Sequence, residues 1–400
     1  MNLLIIEPEY RGHHIALHLN LILEEGLKRD WNISILTCKS LQNSKAYKLI
    51  EKKNIKKIKF YYLKENKFKS RRDIFYLLYI QYVKYKNIIN SINKIIVKNR
   101  IDHIYFVTLD HIDKILTIKG LLKKEIYFSG MQIYSRIYLE EKKLIKICFQ
   151  AIKKIFFYKL LKLSNLKYLF VVDNSLFQFC KKNQLKKIVY VPDPGVIHYK
   201  ITKTLSRKKL RIHIKKDFVI LVYGAIKRSK GIYPLVNAIK KIKNKNIKVI
   251  LAGEQTDEVK NFLKKDENLK LIINKKILIF EGFKNYYEES LFFSVADVVW
   301  VAYSDDFFGS SSVLYQAGLL KKPVITNKIG LLSYINKKNK IGICTNINNE
   351  NDIIKSIMYL YSSKNTRKIL GLNNFYLSKK HSGENFSQII CNKLINDNGK

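Results

Sequence analysis

The chain has 400 residues, enough for two domains of ordinary size, and its 47% apolar share is that of a globular protein. It carries 75 Lys and Arg against 32 Asp and Glu, a net charge of +43, spread as +23 over residues 1–200 and +20 over the remainder. Only 10 of the basic residues are arginine, and isoleucine and asparagine abound, as in proteins from AT-rich genomes. With no RNA- or DNA-binding motif present, no specific nucleic-acid partner is expected.

No window reaches the roughly 18 uninterrupted apolar residues of a membrane span; "IFYLLYIQYV" (74–83) falls short. Cys38, Cys148, Cys180, Cys344 and Cys391 are odd in number and lack metal-ligand spacing, which suits reduced thiols. The N-terminus runs directly into "NLLIIEP", without the pattern of a signal peptide. The expected location is cytoplasmic.

In chain order, short apolar runs alternate with helical patterns. "LLIIEP" (3–8), a helical stretch at 13–30, "ISILT" (33–37), "HIYFVT" (103–108), "EIYFSG" (125–130), "KYLFVVD" (167–173) and "KIVYVPDP" (187–194) build the first series. Strands apolar throughout, with helices between them, predict a parallel sheet covered on both faces. A turn-rich and then basic segment follows, assigned as a linker over 196–216. The alternation restarts at "FVILVYG" (218–224), with a helix at 231–244, "KVILAG" (248–253), "ILIFEG" (277–282) and a helix at 286–296. "DVVWVAYS" (297–304), a helix at 312–320 and "PVIT" (323–326) continue it, Pro323 ending the helix. The fold class is α/β: two Rossmann-like parallel-sheet domains facing across a cleft. The expected boundaries are 1–195, 217–375, and 376–400 as a C-terminal helix returning to the first domain. Ligands of such sheets bind at the carboxyl ends of the strands.

Three strand-to-helix turns fall there. In "FGSSSVLYQAGLLKKPVI" (308–325), Gly309 lets a ligand approach the backbone, and Ser310, Ser311 and Ser312 supply a cap and hydroxyl donors at a helix N-terminus that favours an anion. An ordinary serine N-cap reads the same way. In "YGAIKRSKGI" (223–232), Lys227, Arg228 and Lys230 lie between Gly224 and Gly231; cations beside a helix start suit a diphosphate, although a solvated basic loop fits equally. "EPEYRGHHI" (7–15) offers Gly12 and His13 from the first domain, and a polar helix start is the alternative there.

These stretches resemble the GT-B-fold glycosyltransferases, close to glycosyltransferase family 4 (glycosyl transferases group 1), most closely over 218–330. "YGAIKRSKGIYPLVNAI" is similar to the family's glycine, Lys-Gly and helix, and "FEGFKNYYEESLFFSVADVVWVAYS" to its Gly-turn, helix and "AD" strand. "FGSSSVLYQAGLLKKPVIT" is similar to its signature loop. The resemblance implies a retaining, metal-independent hexosyl transfer from a nucleotide-diphosphate sugar, a substrate rather than a cofactor, to a glycan or lipid-linked acceptor in surface polysaccharide or glycolipid synthesis. It implies that Lys230 neutralises the diphosphate, helped by Arg228, and that Gly224 and Gly309 to Ser312 cradle the donor. Gly12 and His13 would face the donor from the first domain, and Glu254 and Glu281 would lie near the base. His111, in "TLDHID", would contact the donor sugar, with Asp110 the alternative; a polar residue at a helix start accounts for His111 as well.

Two departures stand out. The family's glutamates eight apart fall on Phe308 and Gln316, of which the glutamine can still hydrogen-bond a ribose hydroxyl of the donor but lacks the charge, and its arginine after the first glycine of the second domain is Ala225. Asp305 and Asp306 are candidates for a replacement carboxylate. The helix "KKLIKICFQAIKKIFFYKLLKL" (142–163) groups Lys142, Lys146, Lys153 and Lys154 toward one side, suiting an anionic membrane surface or a core helix with a lysine-rich solvent face. A nucleotide-sugar epimerase and a non-catalytic basic binding module are the rival readings.

Overall fold

The computed structural model describes residues 1–9, 15–43, 47, 58–66, 68, 73–121, 126–133, 135, 137–138, 144–305, 307 and 309–395. The chain forms two units, Met1–Pro192 with Glu384–Lys400, and Asp193–Gly383.

The first unit is built on a seven-stranded parallel sheet: β1 (Asn2–Glu7), β2 (Asn32–Cys38), β3 (Ile58–Leu63), β4 (His103–Phe106), β5 (Tyr127–Gln132), β6 (Leu166–Val171) and β7 (Ile188–Tyr190). Their order across the sheet is β3-β2-β1-β4-β5-β6-β7. The direction of winding reverses between β1 and β4, which opens a crevice at their carboxyl ends. Leu3, Leu4, Ile5 and Ile6 are wholly buried, as strands covered by helices on both faces require. The longest helix of this unit, Ile74–Lys98, starts at Asp73, whose carboxylate accepts from the amide of Tyr76.

The second unit repeats the plan with β8 (Phe218–Tyr223), β9 (Ile247–Gly253), β10 (Ile277–Glu281), β11 (Val298–Val301), β12 (Val324–Asn327) and β13 (Gly342–Thr345), ordered β10-β9-β8-β11-β12-β13. Here the crevice opens between β8 and β11. The helix Tyr286–Val295 carries a full capping box, with Asn285 and Glu288 bonding each other's backbone amides.

The stretch expected as a linker, 196–216, belongs to the second unit. It contains a helix, Lys203–Lys209, whose Arg207 is 2% exposed. The Arg207 guanidinium donates to the carbonyls of His213, Ile214 and Asp217 at 2.7–2.9 Å and to Asp297 Oδ2 at 2.6 Å. Asp297 also accepts from the amide of Val219 and from Lys203. The partner that folds this basic segment is thus 90 residues away, which is why local composition reads as linker.

Basic side chains recur at helix ends. Lys187 Nζ donates to Leu163 O, just beyond the helix Leu144–Lys162, and Lys276 donates to Ile242 O, at the end of Ile232–Lys241. Lys322 donates to Ser294 O and Ala296 O at the end of Tyr286–Val295, and Arg367 to Leu360 O and Tyr361 O at the end of Glu350–Ser362. A cation there meets the unpaired carbonyls and the negative pole of the helix dipole. Burial pushes the Lys322 ammonium down to about 7.

At the passages between units, Gly195 pairs with Ser382, the Gly195 amide donates to His381 O, and the His381 ring stacks on Tyr315 at 3.8 Å. The last helix, Gly383–Ile395, then packs in the first unit. Phe386, Ile390, Cys391 and Leu394 are buried, the Phe386 ring lies 4.7 Å from His18, and Arg29 donates to Asn392.

Substituting Asp297→Ala strands the buried Arg207 charge and is expected to cost about 3–5 kcal/mol, against ~1 kcal/mol or less for Lys203→Ala at the half-exposed end of the network. Trp300 lies in the second unit and Trp31 in the first, so Trp300 fluorescence during urea unfolding of a Trp31→Phe background measures the second unit alone.

Candidate functional site

In the second unit the site forms where β8 and β11 part. After β8 the chain turns at Gly224 (φ +93°) and reaches Gly231 (φ +67°), which starts the helix Ile232–Lys241. A β-carbon on Gly231 would stand 2.2 Å from Ala302 O, and one on Gly253 1.9 Å from Gly224 O. Only glycine permits these approaches. The Trp300 indole donates to Lys230 O at 3.0 Å and the Ser304 amide to Ser229 O at 2.9 Å, tying the two turns together.

This closure sets the Lys230 side chain. Its ammonium donates to Tyr223 O and lies 5.3 Å from the centre of the Tyr303 ring. Burial pushes it down to about 8. The Tyr303 hydroxyl is 3.0 Å from Ser311 Oγ, so lysine, tyrosine and the serine turn form one cluster.

Ser311 occupies the N-cap position of the helix Ser312–Leu319, but its hydroxyl is committed to Tyr303 and makes no capping bond. The expected serine cap is therefore absent. The first amides of that helix have no side-chain cap, and Ser310 Oγ is buried without a partner among the described residues. Uncapped amides, a free hydroxyl and an ammonium make an anion-binding arrangement.

Other expected residues go elsewhere. Arg228 is exposed, 3.6 Å from Glu258 and over the Tyr233 ring, and so is engaged away from Lys230. Glu254 follows β9 and Glu281 ends the adjacent β10, with Glu281 paired to Lys260 at 2.5 Å. Gln316 is 3% exposed; its amide donates to Val196 O and hydrogen-bonds Glu289. It is an internal brace rather than an open contact for a ribose. Glu289, which also bonds Tyr223, is pushed up to about 7 by burial and went unnoticed in the sequence. Asp305 accepts from Asn327 and Asn348. Asp306 and Phe308 lie outside the described residues.

In the first unit, Gly12 and His13 also lie outside the described residues. His111 Nδ1 is 3.8 Å from Glu9 Oε1, and Glu9 is paired with Lys84. Burial, then the Lys84 charge, lowers the imidazole's affinity for a proton. The Asp110 carboxylate accepts from the amide of Ile133 at 2.8 Å, fixing the chain beyond β5. Glu7, which sequence reading missed, is bonded to the Glu9 backbone. It ends β1 at the crevice, 1% exposed, and accepts from the Glu9 amide at 3.0 Å and Thr108 Oγ1 at 3.3 Å. Burial pushes it up to about 8. The signal available in the sequence was a glutamate closing an otherwise apolar strand.

Two parallel sheets with this strand order, each with its crevice beside the first strand, define the GT-B fold class. Residues 203–375, within the second unit, match the family described as glycosyl transferases group 1. No curated protein matches the sequence. Among solved structures, the chain is similar to the Anabaena protein Alr3699/HepE in complex with UDP-glucose (12% identity, 98% of this chain and 99% of that one, TM-score 0.69). It is similar too to WaaG, a glycosyltransferase involved in lipopolysaccharide biosynthesis (12% identity, 99% and 100%, TM-score 0.66). UDP-GlcNAc 2-epimerase from Neisseria meningitidis, solved with UDP-GlcNAc, is also similar (15% identity, 99% and 100%, TM-score 0.64).

Because the Glu7 carboxyl binds its proton more tightly folded than unfolded, folding takes up protons between about pH 4.5 and 8, and stability falls as pH rises through that window. Glu7→Gln removes this dependence. Urea unfolding at pH 5 and pH 8 should show the variant gaining on the parent by up to a few kcal/mol at the higher pH and little at the lower.

Proposed function

We propose that the protein transfers a hexosyl group from a nucleoside-diphosphate sugar to a glycan or lipid-linked acceptor, with retention and without a metal. The observation that carries this reading is the Lys230 ammonium held over the Tyr303 ring, whose hydroxyl meets Ser311 at the head of an uncapped helix within the residues that match the group 1 family. The UDP-sugars bound in similar structures support a donor of this class.

In the proposed reaction the anomeric carbon exchanges its bond to the diphosphate oxygen for one to an acceptor hydroxyl oxygen, and the hydroxyl proton leaves with the diphosphate. Charge builds on the departing diphosphate, where a buried ammonium and fixed helix amides stabilise it without reorganising. The charge of an arriving dianion offsets the desolvation that lowers the Lys230 pKa, so binding holds the proton more firmly on the amine.

The acceptor is proposed to belong to surface polysaccharide or glycolipid synthesis, at the cytoplasmic face of a membrane. Among the described residues no helix is long and apolar enough to cross a membrane. The helix Leu144–Lys162 nevertheless exposes Ile147, Phe149, Ile152 and Ile155 beside Lys153, and the helix Ile74–Lys98 exposes Phe75, Leu77, Tyr79 and Tyr82. Apolar side chains flanked by lysine suit an anionic interface. The fit of WaaG, a lipopolysaccharide glycosyltransferase, supports the same direction.

Lys230→Ala is expected to lower kcat by about 10²–10³-fold. In the parent, UDP affinity should fall as pH rises above about 8, where the free amine loses its proton, and in the variant this dependence should vanish. Calorimetric titration with UDP between pH 7 and 9.5 measures it; an unchanged profile removes the lysine from the site. NMR of UDP-glucose and UDP-GlcNAc incubated with the protein separates transfer from epimerisation, because an epimerase accumulates a new free nucleotide sugar and needs no acceptor. Sedimentation with vesicles should recover the protein with anionic lipid at low salt and release it at high salt.

A further inference from the structure

The helix Tyr286–Val295 sends one carboxyl, that of Glu289, to both elements that build the anion site of the second unit. It is hydrogen-bonded to the hydroxyl of Tyr223, the last residue of β8, and to the side-chain amide of Gln316, one turn into the helix Ser312–Leu319. Both partners are buried, at 9% and 3% exposed. Gln316 Nε2 has two hydrogens; one goes to Val196 O at 3.2 Å, and the other serves Glu289. An ionised carboxylate only accepts, so both bonds run toward it, and each favours the ionised form against the burial that opposes it. The Tyr223 ring packs on Phe293, one turn along the same helix, with centroids 4.9 Å apart.

Tyr223 is also the residue whose carbonyl takes the Lys230 ammonium. The side chain and the carbonyl of a single residue therefore connect the carboxyl to the lysine. Burial alone lowers the Lys230 pKa, with no part played by the Glu289 charge, so the glutamate reaches the lysine through Tyr223 and not through its field. On the other side, Gln316 belongs to the helix whose uncapped first turn completes the site. The contact of Tyr303 with Ser311 joins the two turns once, and Glu289 joins their elements again from a third.

We propose that Glu289 is a positioning residue of this site: by holding the Tyr223 hydroxyl and the Gln316 amide together, it fixes the lysine turn against the serine-turn helix at the separation a diphosphate requires. The diphosphate rests on the transferase reading; the bracing of Lys230 does not. Donors fixed in advance of the ligand give such a site its strength, and a misplacement of about 1 Å costs on the order of a hundredfold in rate. Leucine at this position would leave the Tyr223 hydroxyl and one Gln316 hydrogen buried without a partner, and regaining partners requires both to move.

The test uses the full chain with its lysines reductively methylated by 13C-formaldehyde, so that each dimethylamine is followed by NMR as pH is raised. The Lys230 signal is the one missing from Lys230→Arg. UDP binding to the unmethylated protein is measured in parallel by calorimetry. In the parent the Lys230 signal is expected to titrate at about 8. In Glu289→Leu it should move toward the ordinary lysine value of 10.5 as water reaches the amine, and UDP should bind about tenfold more weakly. Glu289→Gln, which keeps the length and one accepting oxygen, should restore both. Tyr223→Phe removes only the hydroxyl and keeps the ring in the core; it carries the same expectation as Glu289→Leu should the latter fail to fold. A Lys230 midpoint equal to the parent's in Glu289→Leu and Tyr223→Phe overturns the proposal, however far their stability to urea falls. A moved midpoint in a protein whose parent binds no UDP keeps the brace and removes the transferase reading; UDP binding by the parent with an unmoved midpoint does the reverse.

Discussion

The second unit depends on one close approach: the backbone at Gly231 lying against the carbonyl of Ala302. That contact, reinforced by Trp300 and Ser304, locks the turn after β8 to the turn after β11. Without it the lysine loop would be a solvated basic loop like many others on this chain. With it, an ammonium is withdrawn from water and set over an aromatic ring, next to a helix whose first amides have no side-chain cap. Backbone sterics at a glycine thereby decide the electrostatics of a lysine.

Much of the frame was legible in the sequence because its strands are short runs of apolar residues, and burial on two faces demands such runs. "FVILVY" and "DVVWV" could hardly be anything else. What was hidden was hidden by long-range partners. β3, Ile58–Leu63, carries Lys59 and lies at a sheet edge, where only part of each face is covered. The helix Lys203–Lys209 looked like a linker because Asp297 is remote in sequence. Gln316 could be read as a ribose contact, but not as a brace to Val196 and Glu289, since nothing local announces those neighbours.

The basic excess also looks different in three dimensions. Composition alone suggested drift, and exposed lysines are numerous. Yet Lys187, Lys276, Lys322 and Arg367 each meet carbonyls at a helix end, and Arg207 gathers three carbonyls and an aspartate. A chain poor in glycine, with 16 in 400 residues, has few of the usual helix terminators, and cations here take over part of their task. Some of the positive charge is therefore structural, and neutralising it wholesale would unpin helices as well as weaken attraction to anions.

The final helix has a consequence for how the molecule is made. Phe386, Ile390, Cys391 and Leu394 bury themselves in the unit that the N-terminal residues begin. During synthesis the nascent first sheet must wait, with the patch beside His18 uncovered, until the ribosome has completed the entire second unit. The half that is translated first is thus the half that finishes last, and a stalled ribosome releases it with its greasy flank open to aggregation or to a chaperone.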